Sequence, residues 1–260
     1  RLKSFFETNS PNVAVNLLPD KTEHLLNQTE LQGAKILSDT CAEFGVPLIQ
    51  LSSYASFGTD YATEAIKEDL APCDVKADSK DTLGTFYRDL EQIAAQHAQH
   101  MLLRLPWKLD FGDDCLLAKT IPNLIYGEAL KVSSYCCGSV VTKKFLAQVL
   151  SACIKQILCG AENWGAFNFR NSEYFSEAEF VDALSRLLEQ EFTIQVNTPE
   201  LYSEAGQPRL MSGSANLEAQ RLTNNFGILF PAWRVGFKNT ARTWMQTQGF
   251  EVLEEKKLSS

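Results

Sequence analysis

Three apolar runs of strand length, "VAVNLL" (13–18), "VPLIQLSS" (46–53) and "MLLRLP" (101–106), alternate with two stretches patterned at helical period. Runs this apolar read as strands buried on both faces. In "ELQGAKILSDTCAEFG" (30–45), Leu31, Ala34, Leu37, Cys41 and Phe44 share one face, and Gly45 is the stop. "DTLGTFYRDLE" (81–91) opens a second helix that runs to about His100, after a polar loop over 59–79. Leu83, Phe86, Tyr87 and Leu90 form its apolar stripe, and Thr82 is placed to cap it. Strands joined by helical crossovers lie parallel. The alternation therefore predicts an α/β fold in which 13–18, 46–52 and 101–106 are adjacent parallel strands.

Beyond Trp107 the alternation is less regular. "CLLAKTIPNLIYG" predicts a helix interrupted near Pro122, and "LKVSS" a short strand. "TKKFLAQVLSACIKQIL" is a long helix, "AFNFRN" a strand, and "SEAEFVDALSRLLEQEF" a helix capped by Ser176 with Glu179 three residues later. "FTIQV" is expected as a strand. "NLEAQRLTNNFG" and "PAWRVGFKNTARTWMQ" are expected as helices, the second starting at Pro231 with Trp233 as a buried anchor.

Composition removes several functions. A net charge of −8 over 260 residues has the wrong sign for coating a phosphate backbone, so no nucleic-acid partner is expected. No apolar run reaches the roughly 18 residues needed to span a bilayer, so no membrane partner is expected either. Seven cysteines without C-x-x-C spacing argue for reduced thiols and a cytoplasmic location. His24, His97 and His100 are the only histidines, with no thiolate or carboxylate cluster beside them, so no metal is expected.

Several phrases, taken in order, resemble the extended short-chain dehydrogenases of the dTDP-4-dehydrorhamnose reductase type. "SPNVAVNLL" resembles the family strand ending in Val-x-Asn, and "LIQLSSYASFG" its Ser-Thr-Asp-Tyr-Val-Phe segment. "LLRLPW" is similar to Val-Arg-Thr-Ser-Trp, and "YCCGSVVTKKFLA" to Asp-Gln-x-Gly-x-Pro-Thr leading into a helix. "NLEAQRLTNNFGILFPAWRVGF" is similar to the C-terminal Leu-Asp-x-x-Lys-Leu…Gly-x-x-x-Pro-x-Trp ending. The resemblance implies a Rossmann-like, doubly wound sheet with a smaller C-terminal lobe that closes over a nucleotide-sugar. The Rossmann-like part would be 1–108 plus 137–171, and the lobe 109–136 plus 172–260.

It also implies a Gly-rich turn where a helix N-terminus meets the cofactor pyrophosphate. No two of the fourteen glycines lie closer than five residues apart, and Arg1 stands just before what would be the fourth strand. Roughly 50 residues carrying that turn are expected to lie outside the sequence, since a packed sheet needs both faces covered; completion of the sheet by a partner chain is the alternative. The implied cofactor is NADP or NAD, and the residues that choose between them belong to that portion.

The family's catalytic pair is Tyr-x-x-x-Lys. Lysine one turn on lowers the phenol pKa from about 10, and the tyrosine protonates the carbonyl that receives hydride. Counting back from Glu91 and Arg104, the matching positions are Leu83 and Tyr87, with Gly84 at the family's glycine. Both positions are predicted inactive, and none of the seven tyrosines has lysine four residues on. Ser53 keeps the family's catalytic hydroxyl, while Tyr54 replaces the aspartate that follows it. The resemblance assigns cofactor contact to Asn16, Leu17, Ser52 and Ser53, and substrate contact to Gly138, Ser139 and Arg209. From the residues alone, Ser53 fits a strand-end cap as well as a ligand role, Asn16 fits contact with the cofactor or the missing turn slightly better than a cap, and Tyr87 fits a core aromatic better than a catalytic role.

The expected function is that of a catalytically degenerate reductase relative that binds a ligand or a partner. Its ligand would be a nucleotide-sugar or nicotinamide nucleotide, and its partner another protein or a second copy. A precedent is the regulatory subunit of methionine adenosyltransferase, which resembles these reductases and works by association. The competing reading is an active NAD(P)H-dependent reductase that uses a water relayed through Ser53 as acid.

Overall fold

The computed structural model describes residues 1–17, 28–58, 65–72, 82–112, 114–127, 130–204, 210–211 and 213–251. Leu18, Pro19, His24, Cys73 and Arg209 lie outside the described residues.

Four parallel strands make the main sheet: β1 (Ala14–Asn16), β2 (Leu48–Ser53), β3 (His100–Leu105) and, later in the chain, β8 (Gly165–Asn168). They stand in the order β1-β2-β3-β8, and every pairing is parallel. The three strands expected to be adjacent and parallel are so. Strand side chains alternate between faces, and the cores follow that period. Ile49, Leu51, Met101, Leu103 and Leu105 pack with α5 (Lys143–Leu158) and α7 (Gln220–Phe226). Leu48 and Leu102 face the other way, toward α1 (Leu2–Asn9) and α2 (Gln28–Phe44). On that same side α3 (Thr82–Ala95) sets Phe86 and Leu90 against Leu31 and Ala34 of α2. The sheet is thus covered on both faces by helices, as its apolar strands require.

Shorter pieces build a second core. They are β4 (Trp107–Lys108), α4 (Leu116–Tyr126), β5 (Lys131–Ser133), β6 (Cys137–Gly138), β7 (Val140–Val141), β9 (Phe175–Ser176), α6 (Glu177–Phe192), β10 (Glu200–Tyr202) and α8 (Phe237–Thr247). Trp107, Leu116, Phe175, Phe180, Leu184 and Trp233 are fully or nearly fully buried there. Glu177 ties the pieces together: its buried carboxylate accepts the backbone N–H groups of Ser133 (3.0 Å), Leu210 (2.9 Å) and Met211 (2.7 Å). The Ser176–Glu179 capping box is present in full at the start of α6.

Six local expectations are corrected. Thr82 lies within α3 and is not its cap, and α3 ends at Ala95 rather than near His100. Pro122 does not interrupt α4; it is exposed, with the helix continuous around it. "FTIQV" forms no strand, and Glu200–Tyr202 pairs with β5 instead, in parallel. The helix expected from "NLEAQRLTNNFG" is shorter, Gln220–Phe226. The last helix begins at Phe237 behind Gly236, whose φ of 84° suits glycine; Pro231 and Trp233 precede it in a turn.

Trp233 is nevertheless the anchor, 2% exposed, with ring centroids 4.4 Å from Phe175 and 5.3 Å from Phe237. Deleting so large a buried ring removes transfer energy and leaves a cavity. We expect Trp233→Ala to cost about 3–5 kcal/mol in urea unfolding; a loss under about 0.5 kcal/mol, typical of surface sites, would place the anchor elsewhere.

Candidate functional site at the carboxyl end of the sheet

Ser52 and Ser53 end β2 side by side but face opposite sides of the sheet. The Ser52 hydroxyl donates to Glu91 Oε1 at 2.6 Å. Arg104, near the end of the neighbouring strand, donates from Nε to both oxygens of Glu91 at 3.0 and 3.2 Å, and from Nη2 to Oε2 at 2.9 Å. The pair is almost wholly buried, with the Arg104 guanidinium 4.8 Å from the Phe57 ring centroid. Arg88, also buried, donates to the Ser56 carbonyl at 3.1 Å. These contacts fix the rotation of α3 against β2 and β3. Leu83, Tyr87 and Glu91 are spaced four apart and so share one face of α3. Once Glu91 is held, Leu83 and Tyr87 turn to the carboxyl end of the sheet.

There they line a cavity of about 320 Å³ together with Leu17, Ser52, Ser53 and Tyr54. Ligands of open α/β sheets bind at the carboxyl ends of the strands. Leu105, Pro106 and Trp107 continue the wall from β3, with Leu146 and Ala147 from α5. The Ser53 oxygen accepts the Ala55 N–H at 3.2 Å and caps a 3-10 turn over Tyr54–Phe57. That is the strand-end role, held by a residue that also lines the cavity.

Of the residues assigned from sequence, Leu17, Ser52, Ser53, Leu83 and Tyr87 are brought together. Asn16 is not on the cavity wall: its buried amide donates to Gln50 Oε1 at 2.8 Å. Gly138 and Ser139 are buried beneath Trp107. A Cβ on Gly138 would meet Trp107 Cη2 at 3.0 Å and Ala215 Cβ at 2.9 Å, so glycine there permits close packing. Ser139 accepts from the Trp107 backbone at 3.2 Å and donates its own N–H to Ala215 at 3.3 Å. His97 Nε2 is bonded to the Val46 carbonyl at 2.9 Å, and burial lowers the pKa of His100. Among the described residues no group of three or more His, Cys, Asp or Glu could hold a metal ion, and no helix is long and apolar enough to cross a membrane.

Sequence reasoning missed the charged lining of the cavity, Lys108, Asp114, Lys119 and Lys143. In the sequence each falls at a position that reads as solvated surface, with no spacing that links them. The arginine inside "MLLRLP" was the visible signal for the Glu91 pair.

A family model described as RmlD substrate binding domain matches residues 12–245. No curated protein matches the chain significantly. Among solved structures, a dTDP-4-dehydrorhamnose reductase from Bacillus anthracis in complex with NADP is similar at 17% identity and a TM-score of 0.68, over 93% of this chain and 83% of that one. A dTDP-4-dehydrorhamnose reductase from Clostridium acetobutylicum is similar at 19% identity and a TM-score of 0.67, over 96% and 85%. A dTDP-glucose 4,6-dehydratase from Bacillus anthracis in complex with NAD is similar at 14% identity and a TM-score of 0.69, over 95% and 76%. At these identities the structural likeness is one of fold.

Removing one partner of a buried ion pair strands the other charge. We expect Arg104→Met to cost about 3–5 kcal/mol in urea unfolding, and Glu91→Leu added to it to recover much of the loss. A single-variant cost under about 1 kcal/mol would show that another contact sets the register of α3.

Proposed function

We infer that this chain, which belongs to the RmlD substrate binding domain family, binds a ligand at the carboxyl end of its sheet without performing the reduction that its resemblance implies. The reading rests on one observation: the two positions matching the family's tyrosine and lysine line the cavity, and they hold Leu83 and Tyr87. Leu83 has no proton to give. Tyr87 sits one turn further along, with no lysine a turn beyond it, since residue 91 is glutamate. A positioned general acid is typically worth about 10²–10⁴ in rate.

The cavity fits one end of a nicotinamide nucleotide. Leu17, Leu105 and Pro106 offer apolar walls, and Ser53 offers a hydroxyl. Such a group, when bound, supplies a hydride. The residues of this chain would hold and shield it, without a tyrosine–lysine pair to deliver a proton. A nucleotide-sugar is the second ligand class in keeping with the family. We assign the Rossmann-like part to 1–108 plus 137–171 and the lobe to 109–136 plus 172–260. Within the latter, α7 returns to the sheet through Leu222 and Phe226. So read, the protein acts by binding a ligand or a partner.

In the test, the full-length protein is given NADPH and a dTDP-4-keto sugar. We expect oxidation at the no-enzyme rate. The double substitution Leu83→Tyr with Tyr87→Lys restores phenol and ammonium to one helix face, and we expect it to gain measurable turnover. Turnover by the unmodified protein at about 1–10³ s⁻¹ would instead establish an active reductase, with water relayed through Ser53 as its acid.

A further inference from the structure

Two sets of elements build the cavity, and they differ in charge. The set from β2 and α3 offers hydroxyls and apolar groups. The set from β4, α4 and α5 offers Lys108, Lys119 and Lys143, with Asp114 the one carboxylate among the described lining residues. The described lining thus carries an excess of positive charge in a chain whose net charge is −8. Asp114 is committed to Lys108, with oxygen and nitrogen 2.5 Å apart. Asp110 accepts the backbone N–H of Lys143 at 2.8 Å, at the start of α5. The ammonium groups of Lys119 and Lys143 have no carboxylate partner among the described residues.

The topology holds these cations together. Lys108 is opposite Val141 in the β4–β7 pair, two residues before Lys143. Asp114 draws Lys108 toward the first turn of α4, which carries Lys119. Lys119 is half-buried and Lys143 exposed, but both border an apolar hollow, where the field of a cation is screened less than on a convex face. The indole N–H of Trp107, a buried residue of the same wall, is a further donor without a partner among the described residues.

We propose that the cavity takes a compact organic anion, whose apolar body lies along Leu83 and Leu105 and whose carboxylate or phosphoryl group is held by Lys119 and Lys143. The inference rests on reading the cavity as a ligand site and adds the class of ligand.

The test is calorimetric titration of the full-length protein with 1-naphthyl phosphate, 1-naphthoate and uncharged 1-naphthol. In low salt at least one anion should bind about tenfold or more tighter than naphthol, and the order of the two distinguishes phosphoryl from carboxylate. Lys119→Gln with Lys143→Gln should abolish that advantage and leave naphthol binding unchanged. Leu83→Trp, which fills the apolar part, should abolish binding of all three. Naphthol binding as tightly as both anions, or an anion advantage that survives the double variant, overturns the anion assignment and leaves the ligand site standing. Binding that survives Leu83→Trp places the compounds elsewhere and also overturns it. If none of the three binds, the ligand-site reading falls with it.

Discussion

The buried contact between Glu91 and Arg104 is the constraint on which the site depends. Two charges taken out of water are stable only if their geometry is good and their remaining hydrogen-bonding capacity is met. Here the guanidinium meets both carboxylate oxygens, and the Ser52 hydroxyl donates to one of them at 2.6 Å. The arrangement has one solution, because a small rotation of α3 would strand a charge. Three elements, β2, β3 and α3, are thereby locked in a single register, and every residue of α3 acquires a fixed address.

That address gives Leu83 and Tyr87 their meaning. On an isolated helix they would be two members of an apolar stripe, equivalent to Phe86 and Leu90. In the fold the stripe divides. Phe86 and Leu90 are buried against α2, while Leu83 and Tyr87 stay half-buried and line the cavity beside Ser53. A half-buried position on a cavity wall is where a side chain can touch a ligand, and leucine there supplies only contact. The Glu91 contact thus sets Leu83 and Tyr87 on the cavity wall rather than in the core.

The second core obeys a different logic. Its strands are two or three residues long and could not persist alone. They are held by large aromatic contacts, Trp107 and Trp233 each packing on Phe175, and by the Glu177 carboxylate gathering backbone donors from two segments. Backbone groups that find no ladder partner must still be satisfied when buried. Glu177 does this for Leu210 and Met211, and Met211 in turn lines the cavity.

The parallel sheet, its helical crossovers and the capping box at Ser176 were legible in the sequence, because they depend on periodicity and on residues a few positions apart. So was the absence of any Tyr-x-x-x-Lys spacing, since such a spacing is read along the chain itself. The limits of the short pieces were not. "FTIQV" has strand composition, yet Glu200–Tyr202 makes the ladder with β5, since a lone strand lacks a partner for its backbone and only the fold decides which segment reaches β5. Pro231 carried a helix-start signal, but Trp233 is seated in the aromatic core and the chain must turn through Gly236 before it can coil. The gathering of Lys108, Lys119 and Lys143 belongs to tertiary structure alone. Charges far apart in sequence become one electrostatic feature only when packing brings their backbones together, and no local pattern records that distance.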